Sequence, residues 1–404
     1  MRSCLRRVAR ADPAVLLGYH PELLERSPDP MRTVDVATRL STIADKVFAA
    51  SPLSADDGVF LHEHADLPTL GLLADHVRRR LHPAPVVTYI VDRNINPTNV
   101  CVTDCSFCAF YRRPTDPETY VLPRETIYAK LDELVACGGS LVLMQGGHHP
   151  HLKTEWYAEL LRDLRARYPR LHLHAMSPPE IHHLSLIDKC SVDEVIARLK
   201  DAGMDSIPGG GAEILVDRVR AVIAPKKCSS DEWLDVMRRA HAQGLKTTAT
   251  MMFGHVETPH DRIEHLMRVR ELQSETGGFT AFACWNYQNT QGTVLEAEKS
   301  TPATYFRVVS IARVMLHNVP NIQASYVTQG AKAAQLSLRF GVNDFGGGMM
   351  EENVVSAAGT YELVQLDEIE RQIRAAGFEP RRRNFYYEIT DPRGQVRAHA
   401  EHVA

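Results

Sequence analysis

Eight short apolar runs recur along this chain, separated by stretches whose apolar residues fall at helical spacing. The runs cover residues 88–94, 140–145, 171–176, 204–208, 246–253, 279–285 and 321–327, with a weaker one at 339–345. The helix signals between them are explicit. Ser191 and Glu194 have capping-box spacing and Gly203 ends their segment, and Ser229, Glu232 and Gly244 repeat the pattern. Over residues 123–139, Ile127, Leu131, Leu134 and Val135 share one helical face. Strand, crossover helix, strand implies parallel pairing, and eight such units are what a closed (β/α)8 barrel needs. The expected fold is therefore α/β, a TIM-like barrel.

The placement of unusual residues supports the same architecture. Cys101 to Cys108 follow the first run, "QGGHHP" the second, "SPPE" the third and "PGGGAE" the fourth. "GHVET", "NYQNT", "TQG" and "NDFGGG" follow the remaining four, while the opposite connections are ordinary. Barrel enzymes carry their chemistry at the C-terminal ends of the strands. Flanking pieces complete the organisation. Residues 1–30 are an arginine-rich extension (Arg2, Arg6, Arg7 and Arg10) with an apolar patch too short for a secretory signal. Residues 31–85 read as helices that could cap the barrel bottom, 86–358 as the barrel, and 359–404 as a helix followed by a strand at 384–389.

A formal charge of −4 gives no reason to expect nucleic-acid or anionic-membrane binding. No apolar run approaches the ~18 residues that would suggest a membrane span. The eight cysteines are scattered except for one cluster, a cytoplasmic pattern in which clustered thiols mean metal or redox chemistry.

That cluster is Cys101, Cys105 and Cys108. Four thiolates would saturate a four-iron cubane, whereas three leave one iron open to a non-protein ligand. An open coordination position is also what separates catalytic from structural zinc. A zinc site completed by His148, His149 or Cys137 is the alternative, although no second cysteine pair is present. Phe107, Phe110 and Tyr111 stand ready to shield a cluster or stack on a planar ligand.

Cys-x3-Cys-x2-Cys after the first strand of a β/α barrel resembles the radical S-adenosylmethionine (radical SAM) superfamily. More narrowly, "NINPTNVCVTDCSFCAFYR", "MQGGHHP", "HAMSPPEI", "PGGGAEIL", "TTATMMFGHVET", "SETGGFTAF" and "GVNDFGGGMMEENVVSAAG" look together like the futalosine-pathway enzymes of menaquinone synthesis. "SPPEI" and "MMFGHVET" are most similar to the ring-closing branch. The aminofutalosine-forming and deazaflavin (FO)-forming branches share the cysteine motif. Pro97 in place of an aromatic, and a missing proline after Gln288, depart from the pattern.

The resemblance implies a [4Fe–4S] cluster on Cys101, Cys105 and Cys108, with S-adenosylmethionine on the open iron and Phe107 near its adenine. It implies a soluble, cytoplasmic enzyme whose small-molecule substrate is dehypoxanthine futalosine, served by a low-potential electron donor and without integral membrane contact. Gln145, Gly146 and Gly147 occupy the place of the turn that binds the methionine amino group, and glycine permits that close backbone approach. Glu213 could bond cofactor or substrate hydroxyls. For the base that takes the final proton, His255 and Glu213 rank first among His148, His149, Glu180, His255, Glu257 and Asp344, each of which is more simply a hydrogen-bond partner or a helix cap. Asn94, Asn96, Thr98 and Asn99 are expected to pin the cysteine loop. Arg381 to Arg383 are expected at the solvated surface, with Arg383 a candidate for a substrate carboxylate.

Overall fold

A computed structural model describes residues 30–390, apart from 290–292, 349, 352, 355 and 360–363. The arginines expected in the N-terminal extension lie outside the described residues. Ten strands form one parallel sheet: β1 (Val86–Ile90), β2 (Asp92–Ile95), β3 (Leu141–Met144), β4 (His172–Ala175), β5 (Ser206–Ile207), β6 (Lys246–Phe253), β7 (Phe279–Asn286), β8 (Asn321–Gln323), β9 (Asp344–Gly347) and β10 (Glu379–Arg382). Their order is β10-β1-β9-β8-β7-β6-β5-β4-β3-β2.

The two halves of that order are joined by a single stretch of chain. β1 and β2 are consecutive, and their carbonyls point alternately to opposite neighbours. Gly348 N–H donates to Ile90 O (2.6 Å) beside β9, and Ser140 N–H donates to Val91 O (3.0 Å) beside β3. Residues 86–95 therefore act as one strand that closes the ring, and the barrel has eight staves. β10 is an addition, paired in parallel with β1 from Val86↔Glu379 to Tyr89↔Arg382.

Helices α1 (Pro30–Phe48), α2 (Ala55–His64) and α3 (Leu67–Leu81) precede the barrel, and α4 (Arg124–Ala136), α5 (Thr154–Arg167), α6 (Pro178–Asp188), α7 (Val192–Asp201), α8 (Asp217–Ile223), α9 (Ser230–Ala242), α10 (Pro259–Thr276) and α11 (Pro302–Met315) surround it. Short α12 (Tyr326–Gln329) and α13 (Ala331–Ser337) come before β9, and α14 (Leu366–Ala375) comes before β10. The caps read from sequence are made: Ser191 and Ser229 accept from the Glu194 and Glu232 amides (both 3.2 Å). On α9, Trp233, Val236, Met237 and Ala240 are the buried face against the sheet.

Three expectations are corrected. The weak eighth run forms its strand at Asp344–Gly347 rather than 339–345, because Gly341 turns the chain at φ +92°. The seventh run is strand only over Asn321–Gln323 before α12 begins. At the C-terminus, the strand is Glu379–Arg382, and residues 384–389 turn back through Tyr387 at φ +65°.

The barrel bottom meets both flanking segments. Helix α2 packs against α10 and α11, where a Cβ on Gly58 would sit 3.0 Å from Ile263 and from Met315, while α3 reaches the lower rim, where a Cβ on Gly341 would sit 2.9 Å from Ala74. Arg78 donates to Val342 O (3.2 Å) there, and His82 lies 2.8 Å from Pro320 O. The C-terminal segment closes the lumen. Phe385 stacks on His172 with ring centroids 4.3 Å apart. Arg383, expected at the surface, is 2% exposed and grips Asp344 through two hydrogen bonds of 2.6 and 2.9 Å. Asp344→Asn should cost about 3–5 kcal/mol by leaving this guanidinium buried without a counter-charge. Urea unfolding checks this, and Asp344→Leu with Arg383→Met should cost less than the single change.

Candidate functional site

The cysteine loop leaves the top of β2 and is fixed by the polar residues before it. Thr98 Oγ1 donates to Tyr120 O (2.7 Å), and Asn99 bonds both Glu118 O (2.9 Å) and Tyr120 N (2.8 Å). Asn96 donates to Gln145 O (2.8 Å), tying this strand to the next loop. Of the four residues expected to pin the loop, only Asn94 does not. From the other side, Ser106 donates to Ile223 O, and the amides of Val294 and Leu295 donate to Ser106 O (2.9 and 3.1 Å). The segment after β7 thus lies across the cysteines.

All three thiols line one lumen cavity of about 460 Å³. Cys101 Sγ is 2.8 Å from Thr103 Oγ1, and the backbone amides of Tyr111 and Phe110 partly offset the effect of burial on the Cys108 thiol. Burial pushes the Cys105 thiol up to about 11 and raises Cys108 as well. Such thiols lose their protons to a bound metal rather than to water. Among the described residues, no three His, Cys, Asp or Glu side chains converge on a point that would hold a single ion. Cys137, a proposed fourth zinc ligand, is exposed at the end of α4. His149 is occupied in accepting from the amides of His151 and Leu152. Three separate thiols facing one cavity suit a multi-atom cluster better than one zinc ion.

The glycines after β3 are there for space. A Cβ on Gly147 would lie 2.2 Å from Val100 O and 3.0 Å from Cys101 Cβ, and one on Gly210 would lie 2.2 Å from Gln145 Nε2. The Gly146 amide donates to Glu180 (2.9 Å), which also caps α6 with Ser177. Gln145, Gly146, Gly147, Phe107 and Glu213 all line the cavity.

Glu213 adopts φ +40° and is paired with Lys227 at 2.7 Å. Lys227 is the residue that sequence reading missed. It lies 5.1 Å from the Phe107 ring centre, mostly shielded from solvent beside the cysteines. Burial alone would lower its pKa, but Cys105 and Glu213 carry it upward. Burial pushes Glu213 up, and Lys227 more than reverses that. Both are therefore charged. Only proximity in the barrel links them, and "PKKC" carries no motif that would have marked Lys227. Lys227→Met should destabilise by about 3–5 kcal/mol through the stranded Glu213 carboxylate. Adding Glu213→Gln should recover most of that loss in a denaturation double-mutant cycle.

His255 falls elsewhere. Its Nδ1 lies 3.0 Å from Glu257, its Nε2 faces Met252 O at 3.1 Å, and it is not among the cavity-lining residues. Glu257 in turn pairs with Arg262 (2.6 Å). The three order the turn after β6.

Below the cysteines the lumen sets polar groups beside an apolar patch of Ile90, Leu141, Leu143 and Phe385. Asp92, Asn94, His174, Gln323, Arg383 and Tyr387 line it. Asp92 is 7% exposed, and burial, followed by the opposing field of Arg383, sets its pKa at about 7 against an ordinary 3.8. Because the folded form holds this proton more tightly, Asp92 subtracts stability as pH rises from about 3.8 to about 7. Asp92→Asn should therefore gain stability relative to wild type across that window. Matched urea titrations at stepped pH read the difference.

A β/α barrel with a three-cysteine loop and glycine turns converging on one lumen defines an enzyme that works through a cofactor at its strand ends. Residues 95–269 match the Radical SAM superfamily and residues 276–396 the CofH/MqnC C-terminal region. The chain is 42% identical to the cyclic dehypoxanthine futalosine synthase of Halalkalibacterium halodurans over 86% of its own length and 94% of that protein's. It is equally 42% identical to the Streptomyces coelicolor synthase of the same name, over 86% and 88%. A 5-amino-6-(D-ribitylamino)uracil–L-tyrosine 4-hydroxyphenyl transferase of Methanosarcina barkeri also matches at 42%, over 82% and 89%. Among solved structures, methylornithine synthase aligns with TM-score 0.65 at 18% identity, covering 84% of this chain and 97% of that one, a likeness of fold. The chain belongs to the radical SAM superfamily, in its CofH/MqnC branch. No helix among the described residues is long and apolar enough to cross a membrane.

Proposed function

We propose that this enzyme converts dehypoxanthine futalosine to cyclic dehypoxanthinylfutalosine in menaquinone synthesis. The observation that carries the reading is the 42% identity to two synthases of that name over 86% of the chain, joined to a lumen that opens directly beneath the cysteine loop. When bound, a [4Fe–4S] cluster and S-adenosylmethionine would supply a 5′-deoxyadenosyl radical for hydrogen abstraction, and the chain's own residues would hold the ribose C4′ and the benzoate ring within reach of one another. Positioning belongs to the chain.

Cys101, Cys105 and Cys108 would hold the cluster and leave one iron to S-adenosylmethionine. Gln145, Gly146 and Gly147 would lie against its methionine end and Phe107 beside its adenine. Glu213, kept ionised by Lys227, is suited to accept from an ammonium or hydroxyl group and poorly suited to take a proton. A low-potential donor would supply electrons in the cytoplasm, a reducing compartment in keeping with the free thiols of the described cysteines.

The equal identity to the Methanosarcina transferase supports a second reading, in which the substrates are L-tyrosine and 5-amino-6-(D-ribitylamino)uracil. Anaerobic incubation of reconstituted protein with S-adenosylmethionine, a strong reductant and dehypoxanthine futalosine separates the two. The expected result is a product lacking two hydrogens, formed with 5′-deoxyadenosine. Product from the tyrosine mixture alone would favour the transferase. Cys105→Ala should lose cluster iron and all product.

A further inference from the structure

Asp92 and Asn94 stand two residues apart on β2, and both line the lumen. Strand alternation places them on the same face. Between them, Arg93 points outward to Glu133 (2.6 Å) and Glu351 (2.9 Å). The inward pair is chemically unfinished. Asp92 Oδ1 and Asn94 Oδ1 are buried and have no hydrogen-bond partner among the described residues. Asp92 is 7% exposed and Asn94 6%. A buried carboxyl or carboxamide without a partner is costly, so native chains rarely keep one unless something else completes it.

The surroundings hold this carboxyl in place. A Cβ on Gly347 would lie 2.3 Å from both Asp92 oxygens, so only glycine leaves room for the carboxyl. Gly347 is itself fixed, its carbonyl accepting from Tyr326 Oη at 2.6 Å. The middle glycine of "NDFGGG" is thus explained by Asp92. The nearby cation does not satisfy the carboxyl, because Arg383 is committed to Asp344.

We propose that Asp92 and Asn94 form the subsite for the sugar hydroxyls of the substrate, an inference that rests on the reading above. The chemistry discriminates between the two ends of that molecule. Asn94 Oδ1 and an ionised Asp92 are acceptors, which complement hydroxyl donors and not an aromatic carboxylate, itself an acceptor only. Separated by two strand residues, ~7 Å along the chain, the groups suit neighbouring hydroxyls of a five-carbon sugar. A site built to bond a hydroxyl strongly rejects a ligand that lacks it, because its own polar groups are then left bare.

The test is equilibrium binding to anaerobic holoenzyme with S-adenosylmethionine present, for wild type, Asp92→Asn and Asn94→Ala. The probes are dehypoxanthine futalosine, an analogue lacking one ribose hydroxyl, and 5-amino-6-(D-ribitylamino)uracil. Wild type should prefer the full sugar over the deoxy analogue by about tenfold or more, the worth of one good hydrogen bond. Each variant should lose most of that preference, with S-adenosylmethionine affinity and unfolding midpoint no lower than wild type. Equal weakening of both sugar ligands, or a fall in midpoint with preference intact, would mark the pair as structural and overturn the proposal. If wild type binds only the ribityl compound, the cyclase reading falls, and the subsite stands or falls on whether the variants weaken that polyol tenfold. Binding of neither probe overturns both.

Discussion

Closure of the barrel through a single strand is the constraint on which the rest depends. Residues 86–95 pair with β9 and β10 along their first half and with β3 along their second. That strand therefore fixes the geometry of everything attached to it. At its top, Asn96, Thr98 and Asn99 launch the cysteine loop. At mid-height Asp92 and Asn94 face the lumen, and at its foot Thr88 meets Asp344 (2.5 Å). A strand has only two faces, so its outward residues bind α4 and the segment around Glu351, while every inward residue serves the lumen.

The lumen divides by chemistry along its height. Its upper part is thiol, glycine and aromatic, with one ion pair between Lys227 and Glu213. Its lower part sets amide, carboxyl and imidazole groups beside Ile90, Leu141 and Leu143, closed by Phe385 and the Arg383–Asp344 pair. Arg383 answers Asp344 within the wall, and Lys227 answers Glu213, so each buried charge of those pairs is matched locally. Asp92 is the exception, and its burial beside a glycine makes it the least structural carboxylate in the lumen.

Several site residues were legible in the sequence, for a physical reason. Cysteine spacing, the glycines at 146 and 147, and the capping pairs at Ser191 and Ser229 are local, and backbone geometry acts over a few residues. His255 was drawn into the candidate list because it follows a strand. It bonds Glu257 two residues away and so belongs to its own turn. Lys227 was passed over, and Arg383 was expected at the surface, because a cation in a loop reads as solvated unless its neighbours in space are known. The weak eighth strand and the C-terminal strand were displaced by a few residues, since glycine and tyrosine at positive φ moved the turns.

The sequence by itself determined the class of fold, the loop that bears the thiols and the superfamily, because each is written in short-range pattern: alternation, caps and fixed spacing. Only the tertiary structure decided which end plugs the lumen, which lysine neutralises Glu213, and that Asp92 faces the cavity without a partner. Those outcomes depend on closing the ring. Strand pairing and the loops above it bring residue 92 against 347, 213 against 227, and 344 against 383, and such contacts have no counterpart in the local pattern.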